Sequence, residues 1–173
     1  MQNAILDKVE ELTSSSLFVF LAIVVMLFIP DTVFSYLSRM EGMPINFLIS
    51  LAYVYCIFIW IAIPCLAIVH SKRTEIGLLK AFLVGFIPFV IFAVFQVMHS
   101  IISNISFSHR IYPDYYLSQF GYYTSLGLIV GLMSTSIQIY KKSDKLLGLL
   151  LFAISVGSWL LLIVFPLITF RID

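Results

Sequence analysis

The apolar stretch "GLLKAFLVGFIPFVIFAVFQVMHS", which begins at Gly77, ends in two polar residues, Gln96 and His99. Three apart, they share a helix face. A carboxamide beside an imidazole could pass protons or line an ion path, and the pair is the candidate polar site. A proton relay, however, wants several titratable groups at depth. The other apolar runs offer no clear Asp, Glu, Lys or Arg away from their ends. Counted from Lys80 at about 1.5 Å per residue, His99 falls close to the far membrane surface. The pair reads as interfacial.

A second polar group lies in "SNISFSHRIYPDYYLSQFGYY", where five of the nine tyrosines fall between Tyr112 and Tyr123. Tyrosines there suit an aromatic belt at the interface around a solvated turn at Pro113. The alternative is an external docking surface of His109, Arg110, Asp114, Tyr115 and Tyr116, because Tyr and Arg suit interface cores. "NIS" at Asn104 matches a glycosylation sequon but lies close to the expected membrane edge.

Other chemistry finds no arrangement. Cys56 and Cys65 are nine apart on one apolar run, on opposite faces and about 13 Å apart, too far for a disulfide with each other. His70, His99 and His109 divide between the two sides of the membrane, so they form no metal cluster. G-x-S-x-G, a phosphate-cradling glycine loop and H-E-x-x-H do not occur. No catalytic residue, cofactor or metal is expected, and the chain reads as not an enzyme.

The elements that carry these residues follow from composition. The chain has 173 residues, of which 61% are hydrophobic and only 11% charged, with a mean hydropathy of +1.07. Soluble domains carry roughly 25% charged residues, so this chain could not cover a water-facing surface. The expected class is an all-α, polytopic integral membrane protein, a single bundle of five transmembrane helices. Apolar runs of about 20 residues place the spans near 17–37, 45–69, 78–102, 120–140 and 146–170. The first is the shortest before Pro30-Asp31. Asp31 reads either as the polar end of that span or as the N-cap of a short interfacial helix, "TVFSYLSRM".

Residues 1–16 form an acidic segment unlike a cleavable signal, which opens with positive charge. Ile5, Leu6, Val9 and Leu12 fall on one helical face, as in a cytoplasmic amphipathic helix docked on the membrane; a partner-binding arm is the alternative. Lys8, Lys72, Arg73, Lys80, Lys141, Lys142 and Lys145 all fall on the N-terminal side, against Arg39, Arg110 and Arg171 opposite. Positive loops stay in the cytoplasm, which puts the N-terminus inside and the C-terminus outside.

Helices in lipid gain no hydrophobic drive from touching, so close packing and polar contacts decide their pairing. Small residues four apart occur as Gly77, Ala81 and Gly85, as Gly127, Gly131 and Thr135, and as Ala153 and Gly157. These are the expected helix-packing positions. Ser134, Ser136 and Gln138 read as interhelical hydrogen-bond donors. Pro64, Pro88 and Pro166 sit inside runs and are expected to kink them, shaping the bundle; a transporter hinge is the other reading.

Two segments then carry a familiar cadence: "CLAIVHSKR" followed by "GLLKAFLVGFIPFVIFAVF", and "SLGLIVGLMSTSIQIYKKSDKLLGLLLFAISVG". Over roughly residues 50 to 160 they resemble the Ypt-interacting-protein (Yip) domain family. That resemblance implies five spans, a cytoplasmic N-terminus, an exterior C-terminus and a proline in the third span. Eukaryotic members are associated with Rab-type GTPases and vesicle traffic, and bacterial members are mostly of unknown role. The long cytosolic N-terminal region of the eukaryotic members has no counterpart before the first span here, so no functional residue carries over.

The expected function is intramembrane protein or lipid binding, as a scaffold or accessory subunit in the cell (inner) membrane. Its partners would be the bilayer and another membrane protein or a second copy, with no nucleic acid. One alternative is an immunity protein against a pore-forming toxin. Another is a small channel or transporter subunit with Pro88 as hinge.

Overall fold

Backbone N–H and C=O groups away from water must pair within their own segment, so long apolar runs fold as helices. The structure, a computed structural model, describes residues 15–37, 45–106 and 113–169, with side chains within 15–29, 54, 57–102 and 113–162. Among the described residues there are five helices and no strand: α1 (Ser16–Leu37), α2 (Ile45–Arg73), α3 (Leu78–Ser106), α4 (Pro113–Lys142) and α5 (Lys145–Thr169). Stretches long and apolar enough to cross a membrane occur in α3 (Leu78–Ile102), α4 (Pro113–Lys142) and α5 (Lys145–Leu162), and α1 contributes a shorter one, Ser16–Ile29. The amphipathic segment expected over 1–14 lies outside the described residues.

Each helix end has a local cause. Ser15 caps α1, its Oγ accepting from the Phe18 N–H at 3.4 Å. The last turn of α2 closes where the Thr74 hydroxyl donates to the His70 carbonyl at 2.7 Å. Pro113 opens α4, where its missing N–H costs nothing and Asp114 complements the positive helix end. Asp144 caps α5 by accepting from Leu146 N–H at 2.8 Å and Leu147 N–H at 3.1 Å.

Helix α1 continues through Pro30 and Asp31 to Leu37, the end expected for the first span, so Asp31 is an interior helical residue and caps no separate helix. A proline removes one backbone bond but does not end a helix whose freed carbonyl is re-satisfied. Two other expected boundaries move. Helix α4 starts at Pro113 rather than near 120, and α3 runs on to Ser106. The tyrosine-rich stretch expected as a long loop is therefore helical at both ends, Asn104 included. An apolar run marks the part of a helix in hydrocarbon and underestimates turns that extend beyond it.

Successive helices run antiparallel. Ser16 Oγ lies 3.2 Å from His70 Nε2, which sets the start of α1 beside the end of α2. Ser100 Oγ donates to Gln119 Oε1 at 3.4 Å, joining the end of α3 to the start of α4. The Tyr122 hydroxyl reaches the Leu162 carbonyl at 3.4 Å, tying the first half of α4 to the end region of α5. Helix α4 is central: it packs on α3 most extensively, then on α5 and α2, while α1 packs on α2 and α3.

The core shows the helical period. Val19, Ile23 and Leu27 in α1 and Ile59, Ile63 and Ala67 in α2 are buried at spacing four. Trp60, Phe89 and Trp159 bring α2, α3 and α5 together, with ring centroids 5.9–6.4 Å apart. Phe28, Phe92 and Tyr123 link α1, α3 and α4 in edge-to-face pairs about 5 Å apart. Pro64 and Pro88 are buried inside α2 and α3. Outside, the molecule is oily. Phe58, Leu79 and Leu161 are 69%, 70% and 71% exposed, and many other large apolar residues face outward with them. Such a surface belongs against hydrocarbon.

Candidate functional site

Helix α2 ends inside the bundle, and the last carbonyls of any helix lack intrahelical partners. Here α4 supplies them. Gln138, wholly buried, points its Nε2 at the Ser71 carbonyl (2.6 Å), the Thr74 carbonyl (2.8 Å) and the Ser71 hydroxyl (3.1 Å). The Ser71 hydroxyl donates in turn to the Ser134 carbonyl at 2.5 Å. One turn beyond Gln138, the Lys141 ammonium donates to the carbonyls of Lys72 (3.1 Å) and Thr74 (3.3 Å), and Lys142 donates to that of Ile76 (3.2 Å). Cations and amide donors thus meet the negative end of α2. The clamp also gathers Lys72, Arg73, Lys80, Lys141, Lys142 and Lys145, all exposed, at one end of the bundle.

The orientation of Gln138 is fixed by its partners. Two backbone carbonyls accept from one side of the amide, so that side is the nitrogen. Its Oε1 is then buried without a hydrogen-bond partner, as is the Ser134 hydroxyl one turn earlier. Ser136 turns back on its own helix and donates to the Met133 carbonyl at 2.7 Å. The close approach of Ser16 and His70 has the geometry of a nucleophile and its base. His70 is 1% exposed, however, so its ring cannot meet a substrate, and the contact fastens α1 to α2. Among the described residues, no three His, Cys, Asp or Glu side chains converge as metal ligands would.

The small residues divide. Gly85, Gly127 and Gly131 form the α3–α4 seam. A Cβ on Gly85 would lie 2.9 Å from the backbone N of Gly131, one on Gly127 would lie 2.6 Å from Phe89 Cβ, and one on Gly131 would lie 2.8 Å from the Phe82 ring. Ala81 is buried, and Thr135 bonds back to the Gly131 carbonyl at 2.8 Å. By contrast Gly77 sits in the exposed α2–α3 connection and Ala153 and Gly157 face outward; neither glycine has an atom within 4 Å of an added Cβ. Among the described residues these three pack against no other helix.

The other expected positions are also separated. Gln96 is buried, whereas His99 is exposed and stacked on Phe95, with centroids 6.1 Å apart. Three residues turn a helix by about 300°, and the remaining 60° carries His99 across the boundary between bundle and exterior. The two therefore do not line one path. Asp114 and Tyr115 are exposed at the start of α4, but Tyr116 is buried and is not available for external docking. His109 and Arg110 lie outside the described residues. Cys65 is a free, exposed thiol.

Two features were not anticipated. Gly148 meets the backbone of Tyr140, where an added Cβ would lie 2.6 Å from its nitrogen. It has no small residue four away in "KLLGLLLF"; the two-residue link between α4 and α5 is the signal that forces this approach. Ser71 and Thr74 follow an apolar run in what reads as a polar loop, and His70 reads there only as an isolated histidine, so the sequence carries no signal for the clamp. No family model matches the chain, and neither does a curated protein nor a solved structure.

Proposed function

We propose that this chain is a multi-pass membrane protein of the cell (inner) membrane that works without catalysis, by binding another membrane protein along the outer face of α5. The observation that carries this reading is the bare pair Ala153 and Gly157, small residues at contact spacing with open space over Gly157. Leu150, Ile154, Leu160 and Leu161 around them are exposed. Apolar side chains flanking a small-residue groove are what a transmembrane helix packs against.

Five crossings with the N-terminus inside are supported by the antiparallel order and by the clustered lysines, which belong in the cytoplasm. The Yip resemblance implies the same order. On α4 the Gln138 amide nitrogen and the Lys141 ammonium are engaged in holding the end of α2.

The test is crosslinking in native membranes from Gly157→Cys, with Cys56 and Cys65 changed to Ser. A discrete crosslinked species is expected, its mass identifying a second copy or a different protein, and Gly157→Leu should abolish co-purification of that partner. A chain that forms no crosslink from position 157, and that purifies identically as Gly157→Leu, would sink the proposal.

A further inference from the structure

At the lysine-rich end, α4 and α5 leave an apolar slot of about 200 Å³ between them, lined by Ser136, Ile137, Tyr140, Gly148, Leu149 and Phe152. Its walls are almost wholly apolar, and the Ser136 hydroxyl is already bonded to the Met133 carbonyl. Compact small-molecule pockets run to about 300–1,000 Å³. A smaller slot with apolar walls, open along one side, suits a hydrocarbon tail instead.

The mouth has a different character. Lys145 stands three and four residues before Gly148 and Leu149, hence on the same face of α5 one turn nearer the lysine-rich end. Tyr140, half exposed, stands opposite Gly148 on α4, one turn deeper than Lys145. The neighbouring charges are engaged elsewhere: Lys141 and Lys142 donate to carbonyls at the end of α2 and beyond it, and Asp144 accepts from the first N–H groups of α5. That leaves the exposed Lys145 at the mouth and the half-exposed Tyr140 on the wall of the slot.

We propose that this slot binds one anionic phospholipid, an acyl chain lying along Ile137, Leu149 and Phe152 and the phosphate held by Lys145 and Tyr140. Charge complementarity selects the headgroup, since a basic residue at the membrane surface favours anionic lipid by about fivefold in affinity. The inference rests on the membrane reading above but not on a partner at Gly157.

The experiment is native mass spectrometry of the full chain in detergent, titrated with phosphatidylglycerol or with phosphatidylcholine of the same acyl chains. The first phosphatidylglycerol should bind about fivefold more tightly than phosphatidylcholine. Lys145→Glu should remove that preference, Leu149→Trp should weaken both lipids, and Lys80→Glu, at the same end on α3, should leave the preference intact. Equal affinities in the unaltered chain would overturn the slot, as would a preference lost in Lys80→Glu and kept in Lys145→Glu. A chain that alkaline washing strips from membranes would instead overturn the membrane reading. One that stays embedded without lipid preference overturns the slot alone.

Discussion

At the α3–α4 seam the backbone of Gly85 stands so near Gly131 that one extra carbon would touch main chain, while on α5 the equally spaced Ala153 and Gly157 look outward onto open space. Spacing is the same and the outcome is opposite. The difference lies in the opposing surface. The seam has Phe82 over Gly131 and Phe89 over Gly127, rings that fill what the missing side chains leave. Phe89 in turn supports Trp60 and Trp159, so one glycine seats a cluster drawn from three other helices. In lipid, where dispersion contacts and polar bonds do the pairing, a small-residue groove is a provision for contact, and the contact exists only where a complementary surface arrives.

The strongest way to break the comparison is to fill the seam. Gly131→Leu would push a side chain into the Phe82 ring and its carbonyl, an atom of backbone that cannot swing aside. The expected cost is about 3 kcal/mol, a large share of the roughly 5–15 kcal/mol by which folded domains are held. Thermal unfolding in detergent, followed by Trp60 and Trp159 emission, should show a lost or greatly lowered transition. Near-native melting of Gly131→Leu would mean that the seam is not closely packed.

Next in size is the polar clamp. Gln138→Leu removes the donor shared by Ser71 and Thr74 and leaves the buried Ser71 carbonyl bare, for an expected loss of about 2 kcal/mol. Gln138→Glu should be worse, because a carboxylate would face those carbonyls with no hydrogen to offer. Unfolding midpoints rank the pair. If glutamate melts no lower than leucine, the amide does not hold the end of α2.

Reading the residues alone reaches much of this. Helical class and membrane character follow from the long apolar runs and the scarcity of charge, and the donor role of Gln138 follows from a polar residue near the inner end of the fourth run. What the sequence left open depends on pairing. Nothing in "GLLLFAISVG" says that none of the described helices covers Gly157, and nothing in "FLVGF" says that Gly85 meets Gly131. Gln96 and His99 were joined by a spacing rule that ignores a 60° offset. Tyr116 was grouped with Tyr115 because adjacency in sequence hides that neighbours on a helix point about 100° apart.

A smaller effect, of opposite sign, is expected at Ser134. Its hydroxyl is buried without a partner, while its carbonyl accepts from Ser71. Ser134→Ala keeps the carbonyl and deletes the unsatisfied group, so stability should hold or rise by up to about 1 kcal/mol. A clear loss in the same melting experiment would show that the hydroxyl is engaged after all.

The smallest effect is the most discriminating. Gly157→Leu adds four carbons to a face that none of the described residues touches, so the isolated protein should melt within about 0.5 kcal/mol of the original. Gly131→Leu and Gly157→Leu make the same chemical change at the same kind of position, and only the opposing surface differs. If both unfold the protein, Gly157 has a neighbour within the chain and the groove on α5 is closed. If Gly157→Leu leaves melting untouched but strips a partner from the membrane-extracted protein, the surface that completes the groove belongs to another chain.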